Sequence, residues 1–396
     1  MTRPVDARTD QYVEDVVVLD PLTATAAGIA GHDDRLPDLS PDGHDAREEL
    51  NRRALAEVSA LEPTDERERV AQAAFVERLG LENERADAGF ERSAFSVISS
   101  GLHGVRGAFD LMPTATDDDW RTIGDRLAAV PDALDGYRTT LEVEAAAGRV
   151  SARRQYVEVA GQIRGWTGQE GAAGDYFGNL VAHAPDALRD QLAEVAARAS
   201  TSYAEFGRYV ETDLAPRGRE IDGVGRERYA LESRYFLGAD VDLEETYHWG
   251  WEELKRIEDD MAQTAQRIVP GGSVDDAVKA LDLDPARDCG SREAFEAWMQ
   301  EKADSILAGF DGVHFDIAEP IRTIACKVAP INDGGAWYTP PTDDFSRPGR
   351  MWWSVPKDVT QFTTWRELTT VCGLNPSESA TISEYDTAVP LPFDVT

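Results

Sequence analysis

The chain has 396 residues, 74 acidic against 40 basic side chains, a formal charge of -34 and 42% hydrophobic residues, enough to bury a sizeable core. So acidic a chain repels phosphates and argues against nucleic-acid and anionic-membrane partners. Three widely spaced cysteines, Cys289, Cys326 and Cys372, exclude a disulfide framework and a thiolate metal site and read as reduced or buried thiols.

The first residues, MTRPVDARTDQYVEDVVVLD, carry acids throughout and lack an apolar signal core. Helical spacing with acidic outer faces follows at 5–19, 44–61, 65–86, 117–147, 152–166 and 185–213. Pro131 is expected to divide the 117–147 segment, because proline is tolerated in a first turn and not mid-helix. The clearest helix is 242–268, where Leu243, Tyr247, Trp251, Leu254, Ile257, Met261, Ala265 and Ile268 recur at steps of three and four as one apolar stripe. Asp242 and Glu245 resemble a capping box at its start, and Pro270, Gly271 and Gly272 stop it. A second strong helix is 291–310, with Ser291 as N-cap and Phe295, Trp298, Met299, Ile306, Leu307 and Phe310 on one face.

The character changes after residue 312. Val313-His314-Phe315-Asp316-Ile317 alternates, as does the stretch around Ile321–Val328, and glycine, proline and aromatics dominate 329–356, so short strands and turns are predicted. A last amphipathic helix is predicted at 358–372, with Phe362, Trp365, Leu368 and Cys372 on one face. From Gly373 to Thr396 there is no Lys, Arg or His and no helical period, which reads as a poorly packed tail. The expected fold is mainly α: a large helical domain with a small β element after residue 312. No run of about 18 apolar residues occurs, so no membrane span is expected and the protein reads as cytoplasmic.

Motifs narrow the chemistry by exclusion. No P-loop and no Gly-x-Ser-x-Gly elbow occurs, and Gly223-Val224-Gly225 lacks the third glycine of a dinucleotide fingerprint. No two of the six histidines lie at i, i+4. The pairs His32-Asp33 and His44-Asp45 could ligate metal, but their glycine- and proline-rich setting favours turns and caps. Asp117-Asp118-Asp119, Glu244-Glu245 and Asp259-Asp260 read as solvated charge near helix starts or on polar faces. The informative stretch is 336–353, rich in aromatics, proline and arginine. Arg347 and Arg350 flank the turn dipeptide Pro348-Gly349. They could clamp a carboxylate, or one could pair with Asp343 or Asp344 and stack on Trp352.

Several of these segments, in this order along the chain, are similar to the bacterial family called domain of unknown function 885. They are Asp20-Pro21 to Gly28 with Leu36-Pro37-Asp38-Leu39-Ser40, Phe109-Asp110-Leu111-Met112-Pro113, and Glu245-Thr246-Tyr247-His248-Trp249-Gly250 with Glu253 to Ile257. His314 to Ile317, Ala329-Pro330, Tyr338 to Arg350 with Trp352-Trp353, and Thr369-Thr370-Val371 complete the pattern. The resemblance implies a helical zinc peptidase or amide hydrolase. Its metal motif would follow Val371: Tyr, then His-Glu, two residues, Pro-Gly-His and Gln, the histidines holding zinc and the glutamate polarising water. Here Cys372, Gly373 and Leu374 stand in place of the Tyr, His and Glu, and the second His never follows. No catalytic or metal residue carries over, and the abrupt end of the match at 372 reads as truncation or a frame change, the alternative being a genuine loss of catalysis in a divergent paralogue. The expectation is an incomplete family member without hydrolytic activity, with no cofactor as given although a complete member would hold zinc. The alternative is a non-catalytic module that binds a peptide or a carboxylate-bearing ligand. A third outcome is an aggregation-prone fragment. What the resemblance implies for a site is strand addition near Arg350–Ser354 or Trp337–Thr339, with Tyr338, Arg347 and Arg350 facing the ligand.

Overall fold

Helix starts in this chain are written in local chemistry. In the computed structural model, which describes residues 3–170, 174–285, 288–329, 336–342 and 344–355, three helices begin on proline: α1 (Pro4–Leu19), α2 (Pro21–Ala27) and α3 (Pro41–Ser59). Proline suits that first position, since its missing N–H would be unpaired there anyway. Asp20 and Ser40 cap the second and third by accepting from Leu22 and Gly43 N–H. The chain divides into two compact units, Met1–Asp242 and Leu243–Thr396.

The first unit is all helical. After α3 come α4 (Glu66–Asp87), α5 (Gly101–Gly107), α6 (Asp117–Ala146), α7 (Arg153–Trp166), α8 (Tyr176–Val181), α9 (Asp186–Tyr209) and α10 (Arg226–Leu237). Its core lies where α6, α7 and α9 meet, around Leu127, Val130, Tyr137, Ile163 and Tyr203. Tyr137 stacks on Phe206 with ring centroids 5.6 Å apart. Burying one such side chain stabilises the fold by about 1.5–3 kcal/mol.

Two expectations are corrected here. Pro131 does not divide its segment, because α6 runs unbroken from Asp117 to Ala146. Trp120, Ile123, Leu127 and Val130 before the proline and Leu134, Tyr137 and Leu141 after it are all buried. Their burial outweighs the roughly 3 kcal/mol that a mid-helix proline costs. His44-Asp45 is not loop chemistry either. Ser40 and Pro41 start α3 ahead of the apolar period, so both residues lie inside the helix, His44 buried and Asp45 paired with Arg92. His32-Asp33 does serve a turn: Asp33 accepts from Thr25 Oγ1 at 2.5 Å.

Two buried charges fasten the unit together. Arg126 on α6, fully buried, donates to Arg35 O at 3.1 Å, Thr25 Oγ1 at 2.8 Å and His32 O at 3.1 Å, tying the 28–35 loop to the core. Glu68 on α4, also fully buried, accepts from Val5 N–H at 2.9 Å and from Thr64 N–H and Oγ1 at 2.7 Å. One carboxylate thus holds the first turn of α1 and the approach to α4.

The second unit opens on α11 (Leu243–Ile268), followed by α12 (Val274–Asp282) and α13 (Arg292–Phe310). The predicted stripe forms on α11, but Tyr247, Trp251, Leu254, Ile257 and Met261 are exposed and Ala265 alone in the helix is buried. The helix ends as expected, with Gly271 at φ 83° and its N–H donating to Gln266 Oε1 at 2.8 Å. Ser291 caps α13 by accepting from Ala294 N–H at 3.1 Å. The alternation at Val313–Ile317 does not make a strand. The N–H groups of Val313, His314 and Phe315 all return to the Phe310 carbonyl, closing a turn on the end of α13. Val313 and Phe315 are both exposed, so the alternation marks no buried face.

The β element is a three-stranded sheet of β1 (Ile324–Val328), β2 (Ala336–Thr339) and β3 (Gly349–Trp353), in the order β1-β3-β2. The fold is mainly α with this small sheet, as the residues imply. The helix predicted at 358–372 and the tail at 373–396 lie outside the described residues.

Candidate functional site

Of the residues that the sequence singles out, Tyr338 and Arg350 lie in the sheet and Arg347 in the turn before β3. β3 is central, parallel to β1 and antiparallel to β2. Side chains alternate between faces. Cys326, Val328, Met351 and Trp353 turn to α13 and pack on Phe295, Met299 and Trp298. The opposite face carries Lys327, Arg350 and Trp352 with their cross-strand neighbours Trp337 and Thr339. There Trp337 and Trp352 stack at 6.2 Å and 17°, and Trp352 Nε1 donates to Thr339 Oγ1 at 3.0 Å.

The sheet's two edges differ. Along β1, side chains of α13 take the place of a further strand. Gln300 donates to Ile324 O at 2.8 Å and accepts from Cys326 N–H at 2.8 Å, and Glu296 accepts from Val328 N–H at 2.9 Å. Burial pushes the Glu296 carboxyl up, but Lys327 at 2.9 Å and the Val328 N–H outweigh it, and the net shift is downward. Arg292 clamps the strand ends, donating to Val355 O and Ala329 O. Among the described residues β2 is the other edge, and Trp337 and Tyr338 flank its backbone.

Tyr338, Arg347 and Arg350 are not brought together as one group. Tyr338 pairs with Met351 and so belongs to the opposite face from Arg350, with its hydroxyl over Gly349. A Cβ at 349 would come within 2.1 Å of that oxygen, so a larger residue there would have to push the exposed Tyr338 ring aside. Arg350 lies with its guanidinium carbon 5.8 Å from the Trp352 ring, which is the stacking alternative. Arg347 stands in the 340–348 turn with NH1 3.4 Å from Pro340 O, and burial together with the neighbouring Arg350 lowers its pKa. Asp344 is engaged locally, accepting from Thr342 Oγ1 at 2.7 Å and from Ser346 N–H at 3.0 Å. Phe345 in this turn takes φ 57°, a left-handed conformation uncommon for a bulky residue. Asp343 lies outside the described residues.

The central position of β3 corrects one expectation: Arg350–Ser354 cannot accept an added strand, since β1 and β2 occupy both its sides. Trp337–Thr339 can. The sequence does not expose the roles of Glu296 and Gln300. Their i, i+4 spacing on α13 is visible, but which backbone they meet depends on the sheet.

The zinc that the family resemblance implies finds no fit among the described residues. No three His, Cys, Asp or Glu side chains come together there. His32 Nδ1 contacts Arg35 at 2.8 Å and His44 is buried in α3, so neither histidine pair forms a ligand set. Burial pushes the Cys326 thiol up, away from a nucleophilic thiolate.

Comparison places this geometry in context. The model of a bacterial protein family of unknown function, DUF885, matches residues 21–372. No curated protein matches the chain. Two solved structures, each described as that of a "putative lipoprotein", share the fold. The one from Colwellia psychrerythraea has 15% identity and a TM-score of 0.73, covering 91% of this chain and 68% of its own. The one from Shewanella oneidensis, of unknown function, has 14% identity and a TM-score of 0.55, covering 99% of this chain and 71% of its own. At such identities the likeness speaks for the fold alone. No helix among the described residues is long and apolar enough to cross a membrane.

Proposed function

The chain belongs to the bacterial DUF885 family, and from that premise we infer that its second unit binds an extended peptide along β2 without hydrolysing it. The observation that carries this reading is the asymmetry of the sheet. β3 is paired on both sides, the outer backbone of β1 is taken by Gln300 and Glu296, and among the described residues β2 is left as the edge. An edge strand adds a peptide through main-chain hydrogen bonds, and alternate side chains of the peptide then fall on opposite faces. One set would meet the Trp337–Trp352 plate and the other Tyr338. Arg350, opposite Thr339 at the end of β2, and Arg347 in the adjoining turn would receive a carboxylate.

Zinc-dependent peptide or amide hydrolysis is the reading for a member that carries the metal motif. This sequence has no His-Glu pair, and Cys372-Gly373-Leu374 stands where the metal motif would begin. No hydrolytic step is therefore assigned to it.

A five-residue peptide of alternating valine and threonine with a free carboxylate tests the reading. Titration is expected to change tryptophan fluorescence and raise Tm, while the backbone N-methylated peptide has no effect. Arg350→Gln is expected to weaken binding by about tenfold, the scale of one charge-assisted hydrogen bond. Equal binding of the N-methylated peptide would exclude strand addition. One tightly bound zinc per chain with cleavage of the peptide would overturn the non-hydrolytic reading.

A further inference from the structure

We propose that the first unit carries a separate anion site, an arginine-lined cavity at the start of α10 that takes a phosphate monoester or similar dianion with a small apolar body. The cavity measures about 550 Å³, in the range of small-molecule sites. Four arginines line it, Arg149, Arg219, Arg226 and Arg228, against one acid, Glu227. Glu144 pairs with Arg149 and Glu232 lies 3.9 Å from Arg228, so the guanidinium that carries the site is Arg219.

Arg149, Arg219 and Arg228 are placed by structure rather than left loose on the surface. Arg149 lies across Gly89, where a Cβ would come within 2.6 Å of its Nε, and is held from behind by the buried Glu144. Arg219 is fixed through its own backbone, which bonds Ser151 O at 3.0 Å and Arg153 N–H at 2.8 Å. Its guanidinium donates to the carbonyls of Val150, Ile221 and Gly223, and among the described residues no carboxylate pairs with it. Arg228 lies over the Phe90 ring at 4.6 Å, with Glu232 no nearer than 3.9 Å. Burial pulls its pKa down, Glu232 opposes this, and Arg219 and Arg85 add to it, as expected for crowded like charges.

Arg219 and Arg228 both line this cavity, and guanidinium forks match phosphate oxygens. The first turn of α10 faces the same cavity, and its N-cap Gly225 supplies no side-chain cap. Ala88, Phe90, Val150 and Val224 form an apolar wall that a bare phosphate would leave unfilled. This site does not depend on the reading of β2.

Phenyl phosphate, inorganic phosphate and benzoate, titrated into the full chain by calorimetry at one ionic strength, test the assignment. Phenyl phosphate is expected to bind, and Arg219→Gln and Arg228→Gln each to weaken it at least about tenfold. Arg198→Gln, an exposed change on α9, is expected to leave binding unchanged. Should Arg219→Gln lose its helical circular dichroism, Arg219→Lys carries the test, with an expected intermediate loss because it keeps the charge without the fork. Unchanged affinity in the arginine variants, or no binding, would overturn the site. Benzoate binding as tightly as phenyl phosphate would overturn the dianion, and inorganic phosphate doing so would overturn the apolar body.

Discussion

Glu68 and His44 each contribute to the response of the first unit to acid, and they act in different windows. Burial would push the Glu68 carboxyl up, but the hydrogen bonds from Thr64, Asp6 and Val5 outweigh it and bring it from 4.5 to about 2. A carboxyl depressed in the fold stabilises it above the unfolded value, and that contribution is lost as pH falls from about 4.5 towards about 2. His44 is pulled from 6.5 to about 3, by burial first and then by Arg47 and Arg92. Its fold requires the neutral ring, so its loss begins earlier, as pH falls below about 6.5. Glu68→Gln removes the charge that the N–H groups of α1 and Thr64 address. We expect a fall of several degrees in Tm at pH 7 that shrinks as pH drops from about 4.5 to about 2. The earlier His44 window should remain. Thermal melts of both proteins across this range check it, and a difference that stays constant with pH would deny Glu68 its role.

At the scale of elements, α6 shows how packing overrides local preference. Pro131 withholds a backbone N–H from the helix interior, yet buried side chains on both sides keep the helix whole. Pro131→Ala restores the donor and is expected to stabilise the first unit by about 1–3 kcal/mol, less whatever proline gains by stiffening the unfolded chain. Urea unfolding of the two proteins measures it. A destabilised variant would mean that the ring itself fills a needed space. The same contrast explains what could be read in advance. Helix starts such as Ser291 and stops such as Gly271 are set by chemistry a few residues away, and they appear where the spacing predicts. Val313–Ile317 alternates like a strand, but the free Phe310 carbonyl captures three N–H groups and makes a turn. The strands themselves were legible from composition, whereas their order was not. That β3 is central, and that Tyr338 and Arg350 therefore face opposite ways, depends on pairings between segments far apart in the chain. The arginine cavity is harder still to read. Gly223-Val224-Gly225 looks like a failed phosphate motif in the sequence, and only folding adds Arg149 and Phe90 to it.

Across the whole molecule, 74 acids face 40 bases, so each arginine that finds a partner leaves many carboxylates without one. Among the described residues many ion pairs are short surface contacts, such as Arg198 with Glu194 at 2.9 Å and Lys255 with Asp259 at 3.0 Å. Exposed pairs of this kind contribute about 0–1 kcal/mol each, and salt weakens them. The repulsion among the 34 uncompensated charges acts over longer distances and opposes the compact state. Salt shortens the Debye length from about 30 Å at 0.01 M to about 3 Å at 1 M, which removes the distant repulsion well before it removes contacts at 3 Å. Stability should therefore rise with sodium chloride over this range, and melts at fixed pH test it. A falling Tm would mean that the ion pairs outweigh the net charge. The same screening bears on the anion cavity, because the field of the whole chain repels the ligand that Arg219 and Arg228 attract. Affinity for phenyl phosphate is then expected to fall less steeply with salt than at a basic protein with as many arginine contacts, since screening lifts the long-range repulsion while it weakens the local attraction.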